Sequence, residues 1–335
     1  MRKHINKKNL IDKTIDAHSH IGVMIKAYAS LEYPYAQTAE NIYYHQLAGN
    51  IDVNIVFPFS ADLYFNFDKL IKGQLLPADN PVSSSPYKLE NLMLMREIFD
   101  YCPEISGHFI PFISVDPARE VKNQLTEIKN LQKQYPIYGI KINPVGCQSH
   151  AVKIMTEGRP FLDFARENNI PFIFHSVSAP VDEYSQADDI LKIAEKNPDI
   201  RFCLAHTLHF NKNLLQRASE LPNVWTDTAA FKIQIDLTMQ FVSENIIKQS
   251  DLIDVDYSDI TSVIQTVVEM YPDMIIWGTD CPAYTFHCKR KQGKNIYRDF
   301  KLKGRYEDEI NVLKSLPENL QRKISNENTL KFLFS

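Results

Sequence analysis

Two histidines separated by one residue, His18 and His20 in the stretch TIDAHSH, stand beside the aliphatic residues Ile11, Ile15 and Ile21. On an extended chain residues i and i+2 share a face and lie about 6 to 7 Å apart, so both imidazoles can reach one ion. Alone the pair is a weak signal, because strands carry histidines for many reasons. Partners elsewhere would give it meaning. His175 ends the apolar run IPFIFHS, His206 ends IRFCLAHT, and Asp280 follows MIIWGT. Four imidazoles and a carboxylate are borderline nitrogen and hard oxygen donors, a set suited to zinc, with iron, manganese or nickel as alternatives. Three or four of them on one ion would leave a position for water. Singly each has a duller reading, as a hydrogen-bonded core histidine or, for Asp280, a turn or capping residue. Five such residues reaching strand ends by accident is the weaker explanation.

The elements that must position them can be read from periodicity. Eight short runs rich in Ile, Val and Phe, at 14–18, 51–57, 108–115, 137–142, 170–175, 200–206, 223–227 and 274–279, predict strands. Helical segments fall between them. Thr38 can cap a helix ending near Gly49, and Leu89, Leu92, Met93, Arg96 and Phe99 keep a 3-4 spacing. Asp116 and Pro117 read as a cap and first-turn proline ahead of Val121, Leu125, Ile128 and Leu131, and Pro160 opens the next helix. Four more follow in ADDILKIAEKN, NKNLLQRASEL, YSDITSVIQTVVEMY and YEDEINVLKSL. Eight alternations with nearly unbroken apolar strands predict an α/β fold, a (β/α)8 TIM barrel with an extended second βα loop. An open doubly wound sheet would also alternate, but no Gly-rich dinucleotide fingerprint follows any strand and only ten glycines are present. No repeat or linker divides the chain, so residues 1–335 are expected to form one domain. In a barrel the carboxyl ends of the strands ring one mouth, which would bring His18, His20, His175, His206 and Asp280 to a common space.

Composition narrows the partners. Net charge is −4, from 37 basic and 41 acidic residues, so no nucleic acid or anionic membrane partner is expected. The local excess KRKQGKNIYRDFKLKGR, 289–305, reads first as a solvated loop and second as an anion-attracting rim. The start MRKHINKKNLIDK lacks the apolar core of a secretory signal, and no apolar stretch is long enough to span a membrane. A cytoplasmic location is the expectation. Five scattered cysteines without a close C-x-x-C pair read as reduced packing thiols. Tyr64, Phe65 and Phe67 in the second connection either pack or cover a ring or acyl chain.

The series IDAHSHIG, YGIKINP, IPFIFHS, FCLAHT and IIWGTDCP, with FISVDP and the closing ISNENTLKFLF, resembles the amidohydrolase superfamily, in its amidohydrolase-related branch of metal-dependent hydrolases and decarboxylases. The resemblance implies one divalent ion, zinc first and a second ion not favoured, on His18, His20, His175 and Asp280. It also implies that Asp280 accepts a proton from an activated water and that His206 acts on substrate or water. Lys141 stands where two-metal relatives carry a carboxylated lysine, and is read here as a structural or substrate-facing lysine. The segment GTDCP departs from the branch, which commonly shows serine and tryptophan around the aspartate.

The expected activity is hydrolysis of a small, carboxylate-bearing amide, lactone or ester, with Lys141, Arg159 and the basic run as carboxylate partners and Asp227 orienting His206 or meeting substrate. The alternative is non-oxidative decarboxylation of an aromatic or unsaturated acid, which would use the same ligands. A TatD-like nuclease is opposed by the net charge and by Lys141 and Asn143 where a glutamate would sit. A non-catalytic metal-binding barrel is opposed by the fifth polar group, His206. Assembly into homo-oligomers is left open.

Overall fold

All eight predicted strands form, and in the computed structural model, which describes residues 5–291 and 297–335, they run parallel around a ring. They are β1 (Ile15–Val23), β3 (Val53–Pro58), β4 (Phe109–Ser114), β5 (Gly139–Ile142), β6 (Phe172–Phe174), β7 (Phe202–Leu204), β8 (Val224–Asp227) and β9 (Ile275–Ile276); β2 (Ala36–Gln37) adds an antiparallel edge to β1. The ring closes between its first and last members. The Ala17 amide donates to the Trp277 carbonyl at 2.9 Å, the Asp280 amide to that of His18 at 2.8 Å, and the His20 amide to that of Cys281 at 2.7 Å.

Alternation along each strand divides two apolar layers. Val56, Ile113, Ile140, Phe174 and Leu204 face outward and pack with the surrounding helices. Ile55, Phe57, Ile110, Phe112, Ile173 and Trp225 fill the interior, where Leu330, Phe332 and Leu333 of the last helix, Asn328–Phe334, join them. Gly139 is required by this filling, because a Cβ there would lie 2.1 Å from the Phe112 ring.

One irregularity aims the site. Ile15 and Ala17 point into the barrel interior, so strict alternation would send His18 and His20 outward among the helices. The register shifts between Asp16, opposite Asn54, and Ser19, opposite Val56, so that three steps on β1 match two on β3. This bulge reverses the parity and turns both histidines into the mouth.

The bulge is held by Asp16, whose fully buried carboxylate accepts from the His18 amide (3.0 Å), Ser19 Oγ (3.1 Å), Asn54 Nδ2 (2.8 Å), and the Thr279 amide and Oγ1 (3.0 and 2.6 Å). Burial pushes this carboxyl up to about 6, against the pull of its donors.

Where the local readings meet the structure, most agree. Thr38 Oγ1 accepts from the Asn41 amide at 3.2 Å and opens helix Ala39–Gly49. The second connection, 59–108, is long and carries its own helices, Phe67–Leu70 and Lys88–Arg96. Tyr64 and Phe65 pack there with Ala61, Leu70, Tyr87 and Cys147, whereas Phe67 is exposed. Asp116 does not cap a helix at Pro117. The helix begins at Val121, and Asp116 instead binds the Ala118 amide, Arg119 Nη1 and Ser149 Oγ in a buried knot. Helix Phe231–Ser243 had no counterpart in the sequence reading. The basic run is not a solvated loop either: its described part forms a hairpin of β10 (Phe286–Lys291) and β11 (Tyr297–Leu302). Residues 1–4 of the basic start and 292–296 of the run lie outside the described residues. Among the described residues no helix is long and apolar enough to cross a membrane.

Two stability outcomes follow from these buried carboxyls. Asp16→Asn turns an NH2 toward hydroxyl and amide donors and should cost about 2 to 4 kcal/mol in urea unfolding; an unchanged midpoint would remove Asp16 from its closing role. Glu90 is largely buried in the second connection, and burial raises its carboxyl from 4.5 to about 7. The folded state therefore holds the proton between those values while the unfolded chain releases it, so this group lowers stability as pH rises through that window. Glu90→Gln should flatten the wild-type decline between pH 5 and 8, measured as melting temperature against pH.

Candidate metal centre

Asp227 ends β8 with no exposure to solvent, and its carboxylate organises two elements. One oxygen accepts His18 Nδ1–H at 2.8 Å, and the other accepts the backbone amides of His206 (2.9 Å) and Ala229 (3.1 Å). Because Nδ1 carries the proton, His18 Nε2 presents a lone pair, as in the carboxylate–histidine–metal arrangement. That lone pair faces Asp280 Oδ1 at 3.4 Å, and His20 Nε2 lies 3.1 Å from the same oxygen. Gly278 permits the approach, since a Cβ there would lie 2.8 Å from His18 Cβ.

A carboxylate oxygen and imidazole nitrogens this close and out of water need a proton or a cation between them. Lys141, on β5, supplies one cation: its Nζ donates to His18 Nε2 at 3.1 Å and lies 4.5 Å from the centre of the Phe57 ring. Asp280 Oδ1 is buried without a well-angled hydrogen-bond donor. The ligating atoms of His18, His20 and Asp280 lie within 4.8 Å of one another. A tetrahedral ion with bonds of about 2.0 to 2.1 Å has ligands about 3.3 Å apart, which the 3.4 and 3.1 Å separations of the two imidazoles from Asp280 Oδ1 match. The donor set thus fits a small divalent ion.

The protonation states fit as well. Burial, reinforced by the Lys141 charge, takes His18 down to about 4. Burial also lowers His20, against the opposing pull of Asp280, and brings Lys141 down to about 8. Burial alone would raise Asp227, but the His18 Nδ1–H bond and the nearby Lys141 ammonium hold it below the usual carboxylate range. Neutral imidazoles and ionised carboxylates are the forms that bind metal.

His175 and His206 stand together in the same cavity. His206 Nδ1 lies 3.0 Å from the Ala229 carbonyl, which can only accept, so this nitrogen carries a proton. Its Nε2 lies 2.9 Å from His175 Nδ1. With His206 neutral, His175 Nδ1 donates and His175 Nε2 is left as an electron-pair donor. His175 is not one of the three residues whose donor atoms cluster.

The chain after β7 takes an unusual path to place these rings. His206, Thr207, Leu208, His209 and Phe210 all have φ between 48° and 70°, five consecutive residues in the left-handed region. Such backbone costs roughly 1 to 2 kcal/mol per non-glycine residue. It is held by the Asp227 contacts, by Thr207 Oγ1 donating to the Asp227 carbonyl (3.0 Å), and by burial of Leu208 and Phe210. The turn brings a further histidine, His209, to the cavity, where burial and the adjacent His206 lower it to about 3. His209 was not among the sequence candidates, although its signal, a second histidine three residues after His206, is present.

The cavity measures about 680 Å3 and is lined by His18, His20, Lys141, His175, His206 and Asp280, with Asn143, His209 and Gln234 beside them. Three expectations need correction. Asp227 is sealed beneath His18 and cannot touch substrate. Arg159 is exposed at the first turn of helix Arg159–Asn168 and does not line the cavity, because the chain makes two short turns after β5 before that helix begins. Lys289, Lys301 and Arg305 of the basic run are likewise exposed and outside the lining.

A closed parallel barrel with a histidine–carboxylate cluster at the carboxyl ends of its strands is the architecture of a metal-dependent TIM-barrel enzyme. The amidohydrolase family model matches residues 87–334, and the chain belongs to that family. Its fold is similar to that of a probable 2-pyrone-4,6-dicarboxylic acid hydrolase from Acinetobacter baumannii, solved with citric acid bound, at 15% identity and TM-score 0.54 over 96% of this chain and 99% of that one. It is similar to 5-carboxyvanillate decarboxylase from Sphingomonas paucimobilis at 10% identity and TM-score 0.57, over 96% and 98% of the two chains. A zinc-bound amidohydrolase from Burkholderia multivorans gives 11% identity and TM-score 0.59, over 96% and 99%. No curated protein matches the sequence.

Asp227→Asn would replace one acceptor oxygen with a donor facing either His18 or the amides of the left-handed turn. A 10- to 100-fold loss of zinc affinity is expected in chelator competition; unchanged affinity would show that Asp227 does not orient His18 for a metal.

Proposed function

We propose that this protein hydrolyses a small amide, ester or lactone at a single divalent ion, zinc first, held by His18, His20 and Asp280 with His175 completing the set. The observation that carries the proposal is the convergence of His18 Nε2 and His20 Nε2 on Asp280 Oδ1, at 3.4 and 3.1 Å, on a buried floor that opens to the cavity. The ion supplies Lewis acidity, lowering the pKa of water and polarising a carbonyl oxygen. Asp280, ionised and at the edge of the cavity, takes the proton of the attacking water and returns it to the leaving group. His206, its Nδ1–H held on the Ala229 carbonyl, acts through Nε2, which takes up a proton and turns from His175 to hydrogen-bond the developing oxyanion. Phe57 and Phe59 pack on the metal-ligating rings, with Phe59 stacked on His20 at 4.8 Å, and limit water to the cavity side.

Decarboxylation of an aromatic acid is the second reading. It is favoured by the Lys141 ammonium beside His18, which would hold a carboxylate at the floor, and by the fold shared with 5-carboxyvanillate decarboxylase.

Metal analysis combined with assays on esters, lactones, amides and aromatic acids tests both. The wild type should carry one ion and hydrolyse a member of the panel without releasing carbon dioxide. His206→Asn should keep the ion and lose turnover by about 100- to 10,000-fold. Loss of the ion in that variant would make His206 a ligand, full activity would remove it from the chemistry, and carbon dioxide release by the wild type would select decarboxylation.

A further inference from the structure

The cavity is polar at its floor and apolar above. Helix Phe231–Ser243 turns Ile233, Leu237 and Phe241 toward it, one every four residues and therefore in one stripe. Packed with that stripe in one apolar cluster, the β10–β11 hairpin presents Phe286, Phe300 and Leu302, with Phe286 directly opposite Leu302 in the ladder. The hairpin alternates, so this apolar face looks inward while His287, Lys289, Asp299 and Lys301 are exposed. Its basic character is thus an outer face. Arg298 does not restore charge to the chamber: its guanidinium pairs with Glu244 and lies 5.0 Å from the centre of the Phe241 ring.

Among the described lining residues Lys141 is the only lysine or arginine, and its ammonium lies at the floor against His18. The charged residues elsewhere on the lining are acidic, Asp182 and Glu183. A second carboxylate on a substrate would have to leave water for a hydrocarbon wall or approach two carboxylates, and both are unfavourable.

Resting on the hydrolase reading of the floor, we infer that the upper chamber binds an uncharged acyl or aryl body, so the substrate is a hydrophobic amide, ester or lactone and not a dicarboxylate. The stripe and the hairpin act as specificity walls. Each buried methylene is worth about a fourfold gain in affinity.

The test uses straight-chain hydroxamic acids from acetyl to octanoyl, together with suberic acid monohydroxamate, titrated calorimetrically into zinc-loaded and chelator-stripped protein. The dissociation constant on zinc-loaded protein should fall about fourfold per methylene through at least the hexanoyl member, and the carboxylate-tailed compound should bind at least tenfold more weakly than the octanoyl one. Leu237→Asp should abolish the chain-length gain while the acetyl compound binds as before. A flat series, or tighter binding of the carboxylate-tailed compound, overturns the inference and leaves the metal reading intact. Chain-length-dependent binding that is the same with and without zinc, with no binding of the acetyl compound, overturns the metal reading and supports the chamber. Absence of all binding overturns both.

Discussion

The site depends on how a ring of strands closes. In a barrel whose first and last strands carry the metal-binding side chains, a small slip at the seam separates the donors. Here the seam is tied by one buried carboxylate, Asp16, which accepts five hydrogen bonds from β1, β3 and the segment after β9. Asn54 is itself held by Gln46 of the helix Ala39–Gly49, through Nε2 to Oδ1 at 2.7 Å, so the tie reaches the outer layer. A network in which both oxygens of the central carboxylate are occupied is rigid, and deleting one member leaves its partners unsatisfied in a dry interior. The same group fixes the β1 bulge and the backbone at Thr279, and so sets the directions of His18, His20 and Asp280 together.

Electrostatics complete what geometry begins. The floor gathers carboxylates and imidazoles out of water, where like groups repel and charges are poorly solvated. Asp227 commits the His18 proton to Nδ1, burial keeps the imidazoles neutral, and Lys141 partly compensates the two carboxylates. A dication would complete that compensation, at the point where the donor atoms already converge. The left-handed run at 206–210 belongs to the same design: local strain is tolerated because Asp227 and the packed Leu208 and Phe210 over-determine the turn.

Much of this was legible in the sequence, and the reasons are specific. The eight strands showed themselves because each is buried on both faces and so reads as an apolar run, and the strand-end histidines stood out against it. Thr38 and Pro160 gave correct helix starts because capping is local chemistry. What escaped depends on contacts distant in sequence. The bulge at Ala17 and His18 leaves no composition signal, since it is imposed by Asn54 of β3 and Thr279 of the segment after β9. The left-handed turn contains no glycine or asparagine. The hairpin's alternation is hard to see in the sequence, because Phe286 and Cys288 just before the basic run and Phe300 and Leu302 within it are interleaved with charged residues. Arg159 offers the right charge for a carboxylate, but two short turns after β5 set it on the outside.

Diffraction from zinc-soaked crystals, with anomalous data on both sides of the zinc edge, tests the central claim most directly. The account predicts a single strong peak within about 2.0 to 2.2 Å of His18 Nε2, His20 Nε2 and an Asp280 oxygen, with the Asp16 bonds across the seam unchanged. A peak bound elsewhere, or two peaks bridged at Lys141, would contradict it.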